Sequence, residues 1–138
     1  MATVDSVTTA LETAVLDLSG IDTMLDVGVG TDILLAADTT YGRVLPVVAS
    51  IDRADSNTPY DMGGFTVEVI HKLSDNAGAT METYLRSATT EQKSLVDPQW
   101  WRAISGVHEV VDVLKIVTPE RTGLVVVYNV AVSVLIDP

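Results

Sequence analysis

Apolar residues recur at three- and four-residue spacing between Asp5 and Ser19: Val7, Leu11, Ala14, Val15 and Leu18. That spacing puts one apolar stripe on an α-helix. Asp5 or Ser6 is placed to cap its start, and Gly20 stands where a left-handed residue closes a helix. From 21 to 43 no clean period holds, and only short extended pieces are expected, around Met24–Val27 and Ile33–Ala36. The pattern then becomes that of a strand, Val44 to Ile51, with Leu45, Val47, Ala49 and Ile51 on one face. Pro46 removes a ladder donor, which favours a sheet edge. Residues 52–64 (DRADSNTPYDMGG) read as a loop, punctuated by Pro59 and by Gly63-Gly64.

Gly64 to Leu73 alternates clearly. Phe65, Val67, Val69 and His71 fall on one face and Thr66, Glu68 and Lys72 on the other, with Ile70 the exception. A turn is expected at Ser74–Gly78, then a helix carrying Met81, Tyr84, Leu85 and Ala88 and reaching towards Leu95. Asp97-Pro98 has the chemistry of a second helix start, an N-cap followed by proline at the first helical position. Trp100, Trp101 and Ile104 supply that helix's apolar face, and Gly106 ends it. Val107 to Val117 reads as a strand, Thr118 to Gly123 as a turn, and Leu124 to Ile136 as a long closing strand.

This order predicts an α+β fold: a mostly antiparallel sheet of about four main strands, with the N-terminal helix and a central helical segment packed on it. The 138 residues suit a single domain over 1–138. The closing strand, about 13 residues against a usual 5 to 6, is the informative element. Leu124, Val126, Tyr128, Val130, Val132, Val134 and Ile136 make one apolar face. The other face carries Val125, Val127, Asn129, Ala131, Ser133 and Leu135, and is still more than half apolar. A small domain has little with which to bury both. Either helices cover one face and a neighbouring subunit the other, or the strand runs on to pair with a neighbour. Both imply an oligomer. Val125, Val127, Ala131, Ser133 and Leu135 are therefore candidate subunit-interface residues. Trp100 joins them as a candidate anchor, since one ring of the Trp pair can enter the core while the other stays near the surface.

Composition narrows the chemistry. There is no cysteine, which excludes disulfides and thiolate sites, and fits a reducing cytoplasm. Nineteen acidic residues against eight basic ones give a formal charge of −11, and the basic residues are scattered. Tight nucleic-acid binding is not expected, because phosphate neutralisation supplies most of that affinity. Met1-Ala2-Thr3-Val4-Asp5 lacks a basic region followed by an apolar block, so no secretory leader is expected. No apolar run reaches the roughly 18 residues that span a bilayer, so no membrane association is expected.

Leu25-Asp26-Val27-Gly28-Val29-Gly30-Thr31-Asp32 resembles the first motif of class I S-adenosylmethionine-dependent methyltransferases. Asp26, Gly28 and Gly30 match that pattern. Asp32 replaces the third glycine and puts bulk and negative charge beside the cofactor path. Asp52, after VLPVVASI, stands where that family holds ribose hydroxyls. A doubly wound sheet needs a crossover helix here, yet no helical period separates Gly30 from Val44, and the second half reads as antiparallel hairpins. The glycines are read as turn residues, and no cofactor is expected. His71 and His108, with Glu109 or Asp112 as conceivable partners, show no metal-ligand spacing. His108 and Asp112 fall on one face of a regular strand, without making a site. Asp52, Asp55, Asn57 and Asp61 lack the alternation of a calcium loop. No hydrolase elbow, phosphate loop or zinc-protease helix is present, so no catalytic residue is assigned.

Across most of its length the chain resembles the tail terminator (tail completion) proteins of tailed bacteriophages. The resemblance lies in the helix VDSVTTALETAVLDL, then LPVVASI, a polar loop, GGFTVEVIHKL, a helix with METYL, and the hairpin HEVVDVLKIVTPERTGLVVVYNVAVSVLI. It implies a structural virion protein, not an enzyme. Such subunits form a hexameric ring that caps the tail tube and joins it to the neck. The partners implied are other copies, the tube protein and a neck or connector protein. The place implied is the tail–neck junction of a virion assembled in the host cytoplasm. DNA would pass an acidic lumen without specific binding. The polar loop, with Arg53, Asp55, Pro59, Tyr60 and Met62, is the candidate contact with tube or neck. Other head–tail connector proteins share this size range. A small methyltransferase-like domain is the alternative from a different class.

Overall fold

Two neighbouring strands with different periods form one side of the sheet. In the closing strand the buried residues alternate: Val126, Tyr128, Val130, Val132, Val134 and Ile136 are all 2% exposed or less. In the strand before it the apolar residues Val107, Val110, Val113 and Ile116 come every third residue. The register joins these two series one to one: Val107 to Ile136, Val110 to Val134, Val113 to Val132 and Ile116 to Val130. A three-residue period can match a two-residue one only if one residue per step drops out of the ladder as a β-bulge. The register shifts accordingly, stepping over His108, Val111 and Leu114, and shifts once more between Val117 and Glu120. Val111 is 49% exposed for this reason.

The computed structural model describes residues 2–18, 20–25, 39–53, 61–73, 93–122 and 125–137. Its elements are α1 (Val4–Leu16), β1 (Thr23–Met24), β2 (Thr40–Arg53), β3 (Asp61–Lys72), α2 (Pro98–Arg102), β4 (Val107–Thr122) and β5 (Val125–Ile136). The sheet has five strands in the order β1-β2-β3-β5-β4. All pairings are antiparallel except the short β1–β2 pair. The fold is α+β, as the sequence predicts.

Several boundaries differ from the expectations. The cap of α1 is Thr3, not Asp5 or Ser6. Thr3 Oγ1 accepts from the Ser6 amide at 3.1 Å, and Ser6 Oγ accepts from the Thr3 amide at 2.9 Å. This reciprocal capping box satisfies two amides at once. The helix ends at Leu16, before Ser19, and Gly20 does adopt a positive φ of 97°. Asp97 caps α2 as expected, accepting from the Gln99 amide at 3.0 Å, and Gly106 closes the following turn at φ 91°. Of the expected helix towards Leu95, residues 93–95 are helical and the rest lies outside the described residues, as do the expected turn at 74–78 and the extended piece at 33–36.

The supposed loop over 52–64 is shorter than expected. Asp52 and Arg53 belong to β2 and Asp61 to Gly64 belong to β3. Every residue from Asp61 to Lys72 pairs with β5, and that continuous ladder carries the strand through its two glycines. At Gly63 a Cβ would lie 2.8 Å from the Ile136 Cδ1, so glycine admits the isoleucine. The expected turn at Thr118–Gly123 is also mostly strand, since β4 runs to Thr122. Proline at 119 is accommodated because it falls in the last bulge.

The core lies on one face of the sheet. Helix α1 runs from Gly106, where a Cβ would meet Val7 Cγ2 at 2.9 Å, to Gly42 on β2, where one would meet Val15 Cγ1 at 3.0 Å. Its stripe of Val7, Leu11 and Val15 is fully buried against Phe65, Val67, Val69, Tyr128 and Trp101. The Trp101 indole N–H donates to the Leu95 carbonyl at 2.6 Å, which satisfies its one polar atom inside the core.

Candidate assembly surface

The register fixes what shares the second face of the sheet. Alternate residues of β5 point there, and each sits in a row across three or four strands. Leu135 lies between Met62 and Glu109, Ser133 between Gly64 and Asp112, and Ala131 between Thr66 and Lys115. Val127 lies between Ile70 and Glu120, and Val125 between Lys72 and Thr122. The fold therefore brings five of the candidate interface residues onto one surface. Val125, Val127, Ala131 and Leu135 are half-buried within the single chain, and Ser133 is buried at 8% exposure. Trp100 is not on this face. It is half-buried in the helical layer, its ring edge-on to Trp101 at 5.4 Å and 83°.

The strand that carries these residues cannot also be a pairing edge. β5 is bonded to β3 on one side and to β4 on the other along its length. This corrects the expectation that the closing strand runs on to pair with a neighbour: its hydrogen-bonding groups are used within the chain.

The second face has a charged centre that sequence reading missed. Arg43 pairs across strands with Glu68. The Arg43 Nε donates to Glu68 Oε1 at 3.1 Å and Nη2 makes a closer contact to the same oxygen. The side chains are only 10% and 15% exposed, and Ile70 beside them is fully buried. A buried ion pair survives by mutual neutralisation. The available signal was an arginine directly before the expected strand at Val44 and a glutamate on the polar side of the next strand.

Each histidine has a polar neighbour among the described residues. His71 Nδ1 lies 2.6 Å from Thr40 Oγ1, and the Thr40 amide donates to Asp22 Oδ2 at 2.8 Å. His108 sits in a bulge and approaches Asp137 at 3.4 Å, while Asp112 faces Ser133. Arg102 and Glu109 form an exposed pair at 3.1 Å. Among the described residues no group of three or more His, Asp or Glu side chains is placed to hold a metal ion. Also among these residues, no helix is long and apolar enough to cross a membrane.

In the candidate contact loop, Arg53 pairs with Asp61 and Met62 with Asp52, so these two are strand residues. Asp55, Pro59 and Tyr60, with Asn57, lie outside the described residues. So do Asp26, Gly28, Gly30 and Asp32. The segment before them ends in β1, where the Leu25 amide donates to the Gly42 carbonyl at 2.8 Å. β1 is parallel to β2, but the rest of the sheet is antiparallel and is not the doubly wound sheet of a class I methyltransferase.

No protein-family model matches the chain, and no curated protein does. A solved structure, bearing a serial designation and no functional name, superposes on 100% of this chain and 98% of its own. The TM-score is 0.52 and the sequence identity 11%. That likeness supports the fold and carries no activity.

Proposed function

We propose that this chain is a structural subunit of a tailed-phage tail terminator ring, which caps the tail tube, joins it to the neck and lets DNA pass. The observation that carries the reading is the chain-wide layout: one leading helix, two long strands, a helical segment and a long closing hairpin in a single α+β sheet. The charge supports it. Six copies at −11 each carry −66 formal charges. An acidic lumen repels DNA by the reverse of phosphate neutralisation.

The proposed contacts between copies use the second face, at Val125, Val127, Ala131, Ser133 and Leu135, together with Trp100 from the helical layer. The β2–β3 hairpin, with Arg53 and Met62 at its described end, is proposed to reach the tube or neck. Sedimentation velocity and native mass spectrometry test the reading, on the chain alone and with a tail tube protein. A closed ring, six copies expected, is the supporting result. A chain that stays monomeric even beside tube protein overturns it.

A further inference from the structure

The apolar rows of β4 and β5 do not by themselves fix where the two strands pair. β4 carries Val107, Val110, Val113 and Ile116 at every third position, and β5 carries Val130, Val132, Val134 and Ile136 at every second. The described register joins Val107 to Ile136 and continues from there. Advancing β4 by one repeat moves three of its residues past two of β5. It joins Val110 to Ile136, Val113 to Val134 and Ile116 to Val132, each again an apolar pair. Val111 and Leu114 again fall between ladder pairs, so every residue keeps its face. Only Val130 gives up its apolar partner, to the Thr118-Pro119 bulge. A slip of a single residue would turn a strand's apolar row to the wrong face, whereas a slip of a whole repeat does not.

The described contacts that separate the two registers lie at the start of β4. The Asp137 amide donates to the Gly106 carbonyl at 2.9 Å, and His108 Nδ1 lies 3.4 Å from Asp137 Oδ1. The Val107 amide donates to the Ile104 carbonyl at 3.1 Å, closing the turn in which Gly106 holds φ 91°. Arg102 also reaches Glu109 at 3.1 Å, but that pair is exposed and holds weakly. The advance takes residues 107–109 out of the ladder and breaks the Gly106–Asp137 bond. It leaves α2 in place, because the released residues lengthen the connection from it. The reverse slip would drag α2, whose Trp101 is fully buried.

We infer that the contact between Gly106 and Asp137 is a register lock, and that β4 has a second register, one repeat along β5, which the lock holds off. The device is a ratchet of one element past another. Its advance rewrites the second face. Beside Leu135, Asp112 replaces Glu109; beside Ser133, Lys115 replaces Asp112; beside Ala131, Val117 replaces Lys115. The charge beside Ser133 therefore changes sign. The inference does not rest on the ring, since it needs only the β4–β5 hairpin.

The chain has no cysteine, so engineered pairs report the register without background. Asp112→Cys with Ser133→Cys joins partners of the described register. Asp112→Cys with Leu135→Cys joins partners of the second register, and Asp112→Cys with Ala131→Cys joins partners of neither. In the described register the last two pairs are both diagonal neighbours, about 7–8 Å apart and beyond the reach of an unstrained disulfide. Asp137→Pro removes the N–H given to Gly106 and the carboxylate near His108, and keeps Ile136 extended. Oxidation in a glutathione buffer is followed by mass spectrometry, at a dilution where cross-links stay within one chain. With Asp137 intact, the 112–133 pair is expected to close and the two diagonal pairs to lag. Asp137→Pro is expected to speed closure of the 112–135 pair about tenfold, the scale of one lost hydrogen bond, and to leave the 112–131 pair unchanged. If circular dichroism shows Asp137→Pro unfolded, Asp137→Ala, which removes the carboxylate alone, is read the same way with a smaller rise. The inference is overturned if the 112–135 pair does not speed up. It is equally overturned if both diagonal pairs speed up alike, which is fraying, or if the 112–135 pair closes as fast as the 112–133 pair with Asp137 intact.

Discussion

The two adjacent tryptophans do different work. Trp101 is fully buried and hydrogen-bonded to the Leu95 carbonyl, while Trp100 is half-buried against its edge. Trp101→Ala is expected to lower the unfolding free energy by about 3–5 kcal/mol. Trp100→Ala should cost about 1 kcal/mol. Urea unfolding followed by far-UV circular dichroism separates them, and equal costs would contradict the assignment. Sequence reasoning gives one ring in and one near the surface, but nothing in Trp-Trp says which. The order is set by the turn of α2 relative to β4, a tertiary fact. Arg43 was less legible still. Its ion pair depends on a register with Glu68 that no local pattern encodes. Arg43→Met leaves Glu68 without this partner at 15% exposure, and should cost about 3–5 kcal/mol. Replacing both residues with Met should restore stability to within about 1 kcal/mol of the parent or better, because two desolvation penalties vanish together. A double-mutant cycle in urea measures this, and additive losses would refute it.

At the scale of elements, β4 is where pattern and structure part in an instructive way. Val107-His-Glu, Val110-Val-Asp and Val113-Leu-Lys form a three-residue repeat that is plain in the sequence. Read as an ordinary strand, it puts Val111 on the same face as Val107. Read with one bulge per repeat, it puts Val111 outside the ladder, where it is 49% exposed. Val111→Lys should therefore change stability by no more than about 0.5 kcal/mol, as at an ordinary surface site. Val110→Lys, at a position packed against the core, should cost about 1–3 kcal/mol. Thermal melts of the two variants decide between the readings, and the reverse order would support a regular strand. The helices were easier to read, because stripe, Asp97 cap and Gly106 are all local signals. The cap of α1 escaped because Asp5 and Ser6 are stronger candidates than Thr3 one by one. Only the Thr3–Ser6 reciprocity distinguishes it, and Thr3→Ala should cost about 1 kcal/mol. The ends of β3 and β4 escaped for another reason: Gly63-Gly64 and Thr118-Pro119 are turn chemistry overridden by pairing with β5.

For the whole molecule, charge and assembly pull against each other. Each copy carries −11, so bringing copies together concentrates like charge, while the second face and Trp100 offer modest apolar area to oppose it. Screening decides how much of that repulsion is felt. The Debye length falls from about 30 Å at 0.01 M salt to about 8 Å at 0.15 M, so charges on different copies lose sight of one another as salt rises. If copies meet through the half-buried apolar rows of β5, association should strengthen over that range, with the ring fraction rising at fixed protein concentration. If instead they meet through ion pairs between the scattered cations and the acidic surface, the same salt should weaken it. Analytical ultracentrifugation at 10, 50 and 150 mM sodium chloride reads the sign directly. The DNA side of the argument has the opposite dependence on charge. A labelled DNA duplex should show no binding even at 10 mM salt, where phosphate contacts are strongest. Binding there that disappears by 150 mM would reveal a local basic surface that the net charge conceals, and would remove the acidic lumen from the proposal.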